Sequence, residues 1–269
     1  MDFRQLHETG CFVIPNPWDV GSARFLAHLG FPALATSSAG FGFTRGKPDA
    51  VPSLGLDEVL AHTREIVQAT ALPVNADFQN GYADEPERVA ENVRRCAATG
   101  VAGLSIEDAT GDPARPLYEL PLAVERVRAA REALVGTGAL LTARAECFLV
   151  KHADPLRESI RRLQAYAEAG ADVLYAPGAL TKEQVQAIVS AVAPKPINVL
   201  CGMPDSPTVP ELAALGVRRV SVGSALARAA WGGFARAARL IINEGRFDGL
   251  AGAIPFAELN GVFRGILDS

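Results

Sequence analysis

The chain has 269 residues, 49% of them hydrophobic, enough for a sizeable core in one large domain or two small ones. Its 26 Lys and Arg against 30 Asp and Glu leave a net charge of -4, interleaved with no basic run, which argues against nucleic acid or an anionic membrane as partner. The N-terminus shows no cationic segment followed by an apolar stretch, and no apolar run approaches the ~18 residues of a membrane span, so a soluble cytoplasmic protein is expected.

Short apolar segments alternate with amphipathic ones from end to end, the pattern of repeated βα units around a parallel sheet. Strands are expected near 11–15, 32–36, 72–77, 102–108, 138–144, 171–176, 195–200 and 217–223. Helices are expected near 19–29, 57–70, 86–99, 121–135, 155–169, 181–192, 207–215 and 224–244. Pro86 and Pro155 suit a first helical turn, while Asp84, Asp154 and Thr181 are placed to cap. Gly30, Gly100, Gly170 and Gly216 each end a helical run before a strand, as a left-handed residue would. Eight units without a linker favour an α/β fold of the (β/α)8 TIM-barrel type over residues 1–269, with an extra helical tail from about 245. The first turn, "PNPWDVGSA", lacks the glycine pattern of a dinucleotide-binding open sheet. Cys11, Cys96, Cys147 and Cys201 are too scattered for a zinc site or a disulfide framework.

In such barrels the active site lies at the C-terminal ends of the strands. The residues there are strongly polar: Thr36 to Gly40, Asn75, Asp77, Glu107, Asp108, Arg144, Glu146, Asn198, Ser221 and Gly223. Asp77 and Glu107 can face one cavity, joined by Asp49 from the long loop after the second strand. Carboxylates converging on a dry site raise one another's pKa unless something positive stands among them, and a hard divalent cation such as Mg²⁺ does so. Arg144 offers a planar fork for a substrate carboxylate, or else a structural ion pair with Glu146. Ser38-Ala39-Gly40 supplies closely spaced N–H groups for an anion, and Asp84 and Asp108 read as helix caps. No lysine lies inside a strand and no histidine stands at a strand end beside a second, which argues against Schiff-base chemistry and a histidine-rich metal site. Lewis-acid stabilisation of a developing enolate is what remains.

"NADFQNGYAD" resembles the D-A-D-x-G-Y/F-G segment of the isocitrate lyase and phosphoenolpyruvate mutase superfamily, and "GVAGLSIED" its following strand. "TARAECF", "KPDAVPSLGLDEVL" and "ATSSAG" resemble its A-R-x-E/D-A strand, P-D loop and substrate loop, in order over most of the chain. The resemblance implies a barrel whose last helix is exchanged between subunits of a homodimer or homotetramer. It implies Mg²⁺, with Mn²⁺ as a substitute, held by Asp77, Glu107 and Asp49 beside Asn75. It also implies a 2-oxo or 2-hydroxy carboxylate gripped by Arg144 and by Ser37, Ser38 and Ala39, with Asn16 and Trp18 at the pocket floor and Asn198 among the contacts. The activity implied is a lyase-type reaction at a C–C bond next to a 2-oxo carboxylate, through a pyruvate-like enolate. The alternatives are P–C chemistry, as a phosphonomutase or phosphonopyruvate hydrolase, and a binding protein for 2-oxo acids without turnover.

Three positions depart from the family pattern. Asn75 replaces the first acid of D-A-D. "EDATGDPARPLYEL" replaces the K-K/R-C-G-H loop that carries the lyases' cysteine, and "YAPGAL", with Tyr175, replaces the acidic sixth-strand segment. Asp49, Arg144 and Tyr82 are therefore the candidate catalytic residues, with Arg115 and Tyr118 as further substitutes for the missing acid.

Overall fold

A computed structural model describes residues 2–50, 53–179 and 181–267. Val51 and Pro52, in the segment that resembles the P-D loop, lie outside the described residues, as does Leu180 of "YAPGAL". The elements run β1 (Phe12–Ile14), α1 (Val20–His28), β2 (Leu34–Ala35), α2 (Ser38–Thr44), α3 (Leu56–Gln68), β3 (Val74–Asp77), α4 (Pro86–Ala97), β4 (Gly103–Glu107) and α5 (Leu120–Ala133). They continue with β5 (Leu140–Arg144), α6 (Pro155–Glu168), β6 (Val173–Tyr175), α7 (Lys182–Val192), β7 (Ile197–Leu200), α8 (Val209–Ala214), β8 (Arg219–Ser221), α9 (Ala225–Glu244) and α10 (Phe256–Leu267).

All eight strands are parallel, in the order β1-β8-β7-β6-β5-β4-β3-β2. The seam between β1 and β2 is closed by Ala35 N–H donating to Pro15 O at 3.0 Å and Asn16 Nδ2 to Thr36 O at 2.9 Å. This is a (β/α)8 TIM-type barrel. The strands are one or two residues shorter at their ends than the sequence pattern predicts, because the flanking residues leave the ladder to form the loops. Gly30, Gly100, Gly170 and Gly216 have φ between 87° and 102°, a region that costs glycine nothing.

The main core lies between the sheet and its helices, and a second cluster of Phe3, Leu6, Ile14 and Leu140 plugs the N-terminal end of the barrel. At Gly103 a Cβ would come within 2.9 Å of Asn75 Oδ1 and 3.0 Å of both Leu140 O and Phe3 Cε1, so only glycine lets this plug and the Asn75 side chain share the barrel interior. Two local expectations are corrected. Asp84 does not cap α4, whose N-cap is Glu85 with no side-chain bond; Asp84 accepts instead from the Tyr118 hydroxyl. Asp108 caps no helix either: it accepts from Arg162 at 3.0 Å, the Tyr166 hydroxyl at 2.5 Å and the Glu146 N–H at 2.8 Å, because β4 aims it into the layer between sheet and α6.

The tail forms α10, which lies against α1 of the same chain. Of the 20 residues of α9 only Ala227 and Ala237 are buried, while Trp231, Phe234 and Ile242 are exposed. No helix among the described residues is long and apolar enough to cross a membrane.

Candidate active site

A cavity of about 180 Å³ opens at the C-terminal ends of the strands and reaches into the barrel. Of the residues proposed from sequence, Asn16, Ser37, Ser38, Ala39, Asp49, Asn75, Asp77, Arg144 and Asn198 line it. Trp18, Tyr82 and Glu107 are not among the lining residues. Trp18 stands behind α2, where a Cβ on Gly40 would meet its own Cβ at 3.0 Å. Glu107 sits behind the Arg144 guanidinium.

Arg144, at the end of β5, organises the mouth. Its Nη1 meets Asp77 at 2.9 Å, its Nη2 meets Glu107 at 3.0 Å, and its Nε meets Glu146 at 2.9 Å. The positive charge required among the carboxylates is thus supplied first by an arginine. Arg144 is in the ion pair with Glu146, and two of its five N–H donors are uncommitted by these contacts. Burial opposes the guanidinium charge, but Glu107, Glu146 and Asp77 outweigh it and hold Arg144 well above the ordinary arginine range. One cation is not enough for its neighbours. Burial, with Glu146 and Asp77 beside it, pushes Glu107 well above the usual carboxylate range in spite of Arg144, and Glu146 is pushed up in the same way. Asp49 is raised by the enclosure of its carboxyl and by Asp77; its residue is solvent-exposed on the loop, so that pressure is modest.

The loop after β2 is a short helix where the sequence suggested only a nest of N–H groups. Ser37 caps α2 by accepting from Gly40 N–H at 3.1 Å, and Ser38 N–H donates to Asp77 Oδ2 at 2.9 Å. The N–H groups flanking Ala39 are therefore committed inside the protein. Ser38 Oγ donates to Asp49 Oδ1 at 3.4 Å, which draws that loop over the mouth.

Tyr82 occupies a left-handed backbone position, φ 57°, which is strained for an aromatic residue. Asn92 and Arg126 hold the loop there by donating to the carbonyls of Gly81 and Ala83. Its hydroxyl is buried without a hydrogen-bond partner, and burial with the charges of Asp77 and Glu107 drives its pKa far up. Arg115 and Tyr118 lie elsewhere, in an outer groove with Asp112 and His152. Tyr118 is bonded to Asp84 and Asn80, and Arg115 is exposed beside Asp112. The loop between β4 and α5 carries them away from the barrel mouth.

The charged cavity residue not anticipated from the sequence is Arg219. Arg219 of β8 is buried and lines the inner part of the cavity, with Nε donating to Asn198 Oδ1 at 2.9 Å and Nη2 to Thr142 Oγ1 at 3.0 Å. Alternation along β8 was the available signal, since Arg219 stands two residues before Ser221 and so on the same face.

A parallel barrel with acids and an arginine at its strand ends has the layout of a barrel enzyme, whose active site stands at that face. The family model for phosphoenolpyruvate phosphomutase matches residues 3–242, and the chain belongs to this family, within the PEP mutase/isocitrate lyase superfamily. A solved structure from Burkholderia cenocepacia J2315, described only as a lyase/mutase, is similar at 47% identity and TM-score 0.92, over 97% of this chain and 94% of that one. An oxaloacetate decarboxylase of Pseudomonas putida GB-1 is 32% identical over 83% of this chain and 78% of its own. The 2,3-dimethylmalate lyase structure of the same superfamily aligns with TM-score 0.84 at 26% identity, over 97% and 92%. The chain is accordingly an enzyme of lyase type.

Proposed function

We propose that the protein is a Mg²⁺-dependent lyase that breaks or makes a C–C bond adjacent to the 2-oxo group of a small carboxylate. The observation that carries this is the charge at the mouth: Asp49, Asp77, Glu107 and Glu146 surround one guanidinium, a surplus of three negative charges when all are ionised. Among the described residues no three His, Cys, Asp or Glu side chains could by themselves hold a metal ion. The two carboxylates that line the cavity, Asp49 and Asp77, suit Mg²⁺, which is usually bound through one or two carboxylates while keeping several waters. Asn75 Oδ1, buried with no hydrogen-bond partner, is a further acceptor in the same cavity. Asp77 and Asp49, which line the cavity, would hold the ion with Asn75 in support, and Glu107 would act through Arg144. Bound there, Mg²⁺ supplies Lewis-acid stabilisation of the charge that develops on the substrate's 2-oxygen.

The chain's own residues do the remainder. Arg144 is held in one plane by three carboxylates and offers its two uncommitted N–H groups to the substrate carboxylate, a preorganised contact that needs no rearrangement in the transition state. The Tyr82 hydroxyl stays protonated at neutral pH, so it is a donor held in reserve beside Asp77 and Glu107. Asp49, on the loop that Ser38 draws inward, is placed to take or return a proton as substrate enters. A second copy of the chain covering the exposed apolar residues of α9 would complete the helix exchange expected of the family, in a dimer or tetramer.

Calorimetric titration with oxalate, a planar mimic of the pyruvate enolate, tests the site. Binding that requires Mg²⁺ and is lost in Asp77→Ala supports it; binding of equal strength without the ion, or no binding, rejects it. Turnover then separates the bond types: an oxo acid or CO₂ as co-product supports the lyase, and phosphate released from phosphonopyruvate supports the P–C alternative.

A further inference from the structure

Behind the cavity at the strand ends, α5 carries a buried arginine that the reaction proposed above does not use. Arg126 is 2% exposed and shares a small cavity of about 10 Å³ with Glu107 and Arg144. Its guanidinium is directed at the loop between β3 and α4: Nη1 donates to Ala83 O at 2.5 Å and to Asp84 O at 2.6 Å, and Nη2 donates to Asn80 O. Its Cζ stands 3.9 Å from the centroid of the Tyr118 ring. The Tyr118 hydroxyl in turn is bonded to Asn80 Nδ2 and to the Asp84 carboxylate, both on the same loop. That loop needs holding, because Gln79 and Tyr82 have φ of 43° and 57°, a left-handed course that residues with side chains adopt at a cost.

The loop also reaches the site. Gln79 O accepts from Glu107 N–H at 2.8 Å, and the Glu107 carboxylate meets Arg144 Nη2 at 3.0 Å. We infer that Arg126 is a positioning residue of the active site: it holds the β3–α4 loop, and through Gln79 it fixes Glu107 and with it the plane in which Arg144 offers its free donors. This rests on the anion contact at Arg144 proposed above and adds what keeps that contact aligned. A planar fork reaches three carbonyls at once, which an ammonium on a flexible stem does not. The path is one of contiguous polar contacts, from Arg126 to Asn80 O, along the chain to Gln79 O, across to Glu107 N–H and from the Glu107 carboxylate to Arg144. An arginine that only tied α5 to the loop would serve stability and leave the affinity of the folded protein for an anion untouched.

The experiment is calorimetric titration with oxalate in the presence of Mg²⁺, which reads the dissociation constant and the fraction of protein competent to bind as separate quantities. Arg126→Met keeps an unbranched stem and removes the donors; it should weaken oxalate about 10-fold at undiminished stoichiometry, the worth of about one hydrogen bond lost from a misaligned Arg144. Arg126→Lys restores the charge without the fork and should recover little of that loss. On a Glu107→Ala background, Arg126→Met should weaken oxalate no further, because the link through which it acts is gone. Tyr118→Phe is the milder variant: it removes the bonds to Asn80 and Asp84 and should weaken oxalate about 3-fold even where Arg126→Met folds poorly. Unchanged affinity with a smaller competent fraction, in Arg126→Met or in Tyr118→Phe, makes the clamp structural alone and overturns the inference. An equal loss from Arg126→Met with and without the Glu107 carboxylate overturns it too. Failure of the wild type to bind oxalate overturns the Arg144 contact and this inference with it, whereas wild-type binding beside unaffected variants removes the inference alone.

Discussion

Arg144 and Arg219 face the same barrel interior from β5 and β8, yet one is enclosed by acids and the other by neutral groups. Compensation, more than burial, decides what each can do. A guanidinium bound to three carboxylates is a rigid hub that sets the shape of the mouth, and only two of its donors are left for a ligand. A guanidinium held by an amide and a hydroxyl keeps its charge available. The difference can be broken from either side.

The largest effect is expected at the hub. Arg144→Ala leaves Asp77, Glu107 and Glu146 facing one another in a half-buried space, and removal of one partner from a buried ion pair costs about 3–5 kcal/mol. Urea denaturation should show a loss of that order, together with loss of turnover. Arg144→Lys keeps the charge without the planar fork, so it should recover part of the stability and little of the activity. Stability in Arg144→Ala equal to wild type would mean that the acids are already protonated and that the hub carries no charge balance.

Next comes a buried cation outside the cavity. Arg162 is paired with Asp108 at 3.0 Å and with Glu158 at 2.7 Å, and it also donates to Tyr118 O at 2.9 Å. Asp108→Ala strands Arg162 and the Tyr166 hydroxyl and releases the N–H of Glu146. A loss of about 3 kcal/mol is expected, below that of Arg144→Ala because Glu158 remains. Since Asp108 also fixes the backbone of Glu146, turnover should fall in part, through the orientation of Arg144. A variant with normal stability would show that Glu158 alone satisfies Arg162.

The architecture was legible in the sequence because it depends on local signals. Apolar runs of strand length recur in every unit, glycine follows α1, α4, α6 and α8 and proline opens α4, α5, α6 and α8, and among the described residues all eight strands and eight of the ten α-helices fall where such signals place them. The polar strand ends were legible for the same reason: Asp77, Glu107 and Arg144 stand where strands stop. What could not be read was pairing. Arg144 meets Asp77 across 67 residues, and Asp108 meets Arg162 across 54; no local pattern records such contacts, so Asp108 passed for a cap. Arg219 was lost in "VRRVSVG", where two adjacent arginines look alike until alternation with Ser221 shows that one points inward. The α2 helix was missed because "SSAGFGFT" contains two glycines, and its helical state depends on capping by Ser37 and on the contact of Gly40 with Trp18.

The pH response sharpens the inner end of the comparison. His7 titrates near 6.5 when unfolded and is held at about 3 in the folded protein, by burial first and by Arg219 second. A base with a depressed folded pKa contributes stability that is complete above its unfolded value and is lost as pH falls from about 6.5 to 3. By pH 5 the loss from this group is about 2 kcal/mol. The raised carboxylates Glu107, Glu146 and Asp108 act with the opposite sign, so the quantity to measure is the difference between wild type and His7→Gln. That difference should narrow by about 2 kcal/mol between pH 7 and pH 5. A constant difference would place His7 in a solvated setting and remove one of the neutral groups that surround Arg219.

The smallest effect is expected where an arginine is exposed and its partner is served twice. Arg4 meets Asp172 at 3.2 Å with half of its side chain in solvent. Asp172 also accepts from Arg131 at 2.8 Å and from Leu141 N–H at 2.9 Å, so Arg4→Ala leaves no charge stranded. Exposed pairs are worth about 0–1 kcal/mol, and with this redundancy the change should lie at the low end, within ~0.5 kcal/mol in urea denaturation. Arg131→Ala should cost more, because Arg131 is the less exposed of the two and its stem also packs against Gly170. If Arg4→Ala cost as much as Asp108→Ala, charge count alone would govern stability here, and the contrast between the compensated hub and the uncompensated inner arginine would lose its physical basis.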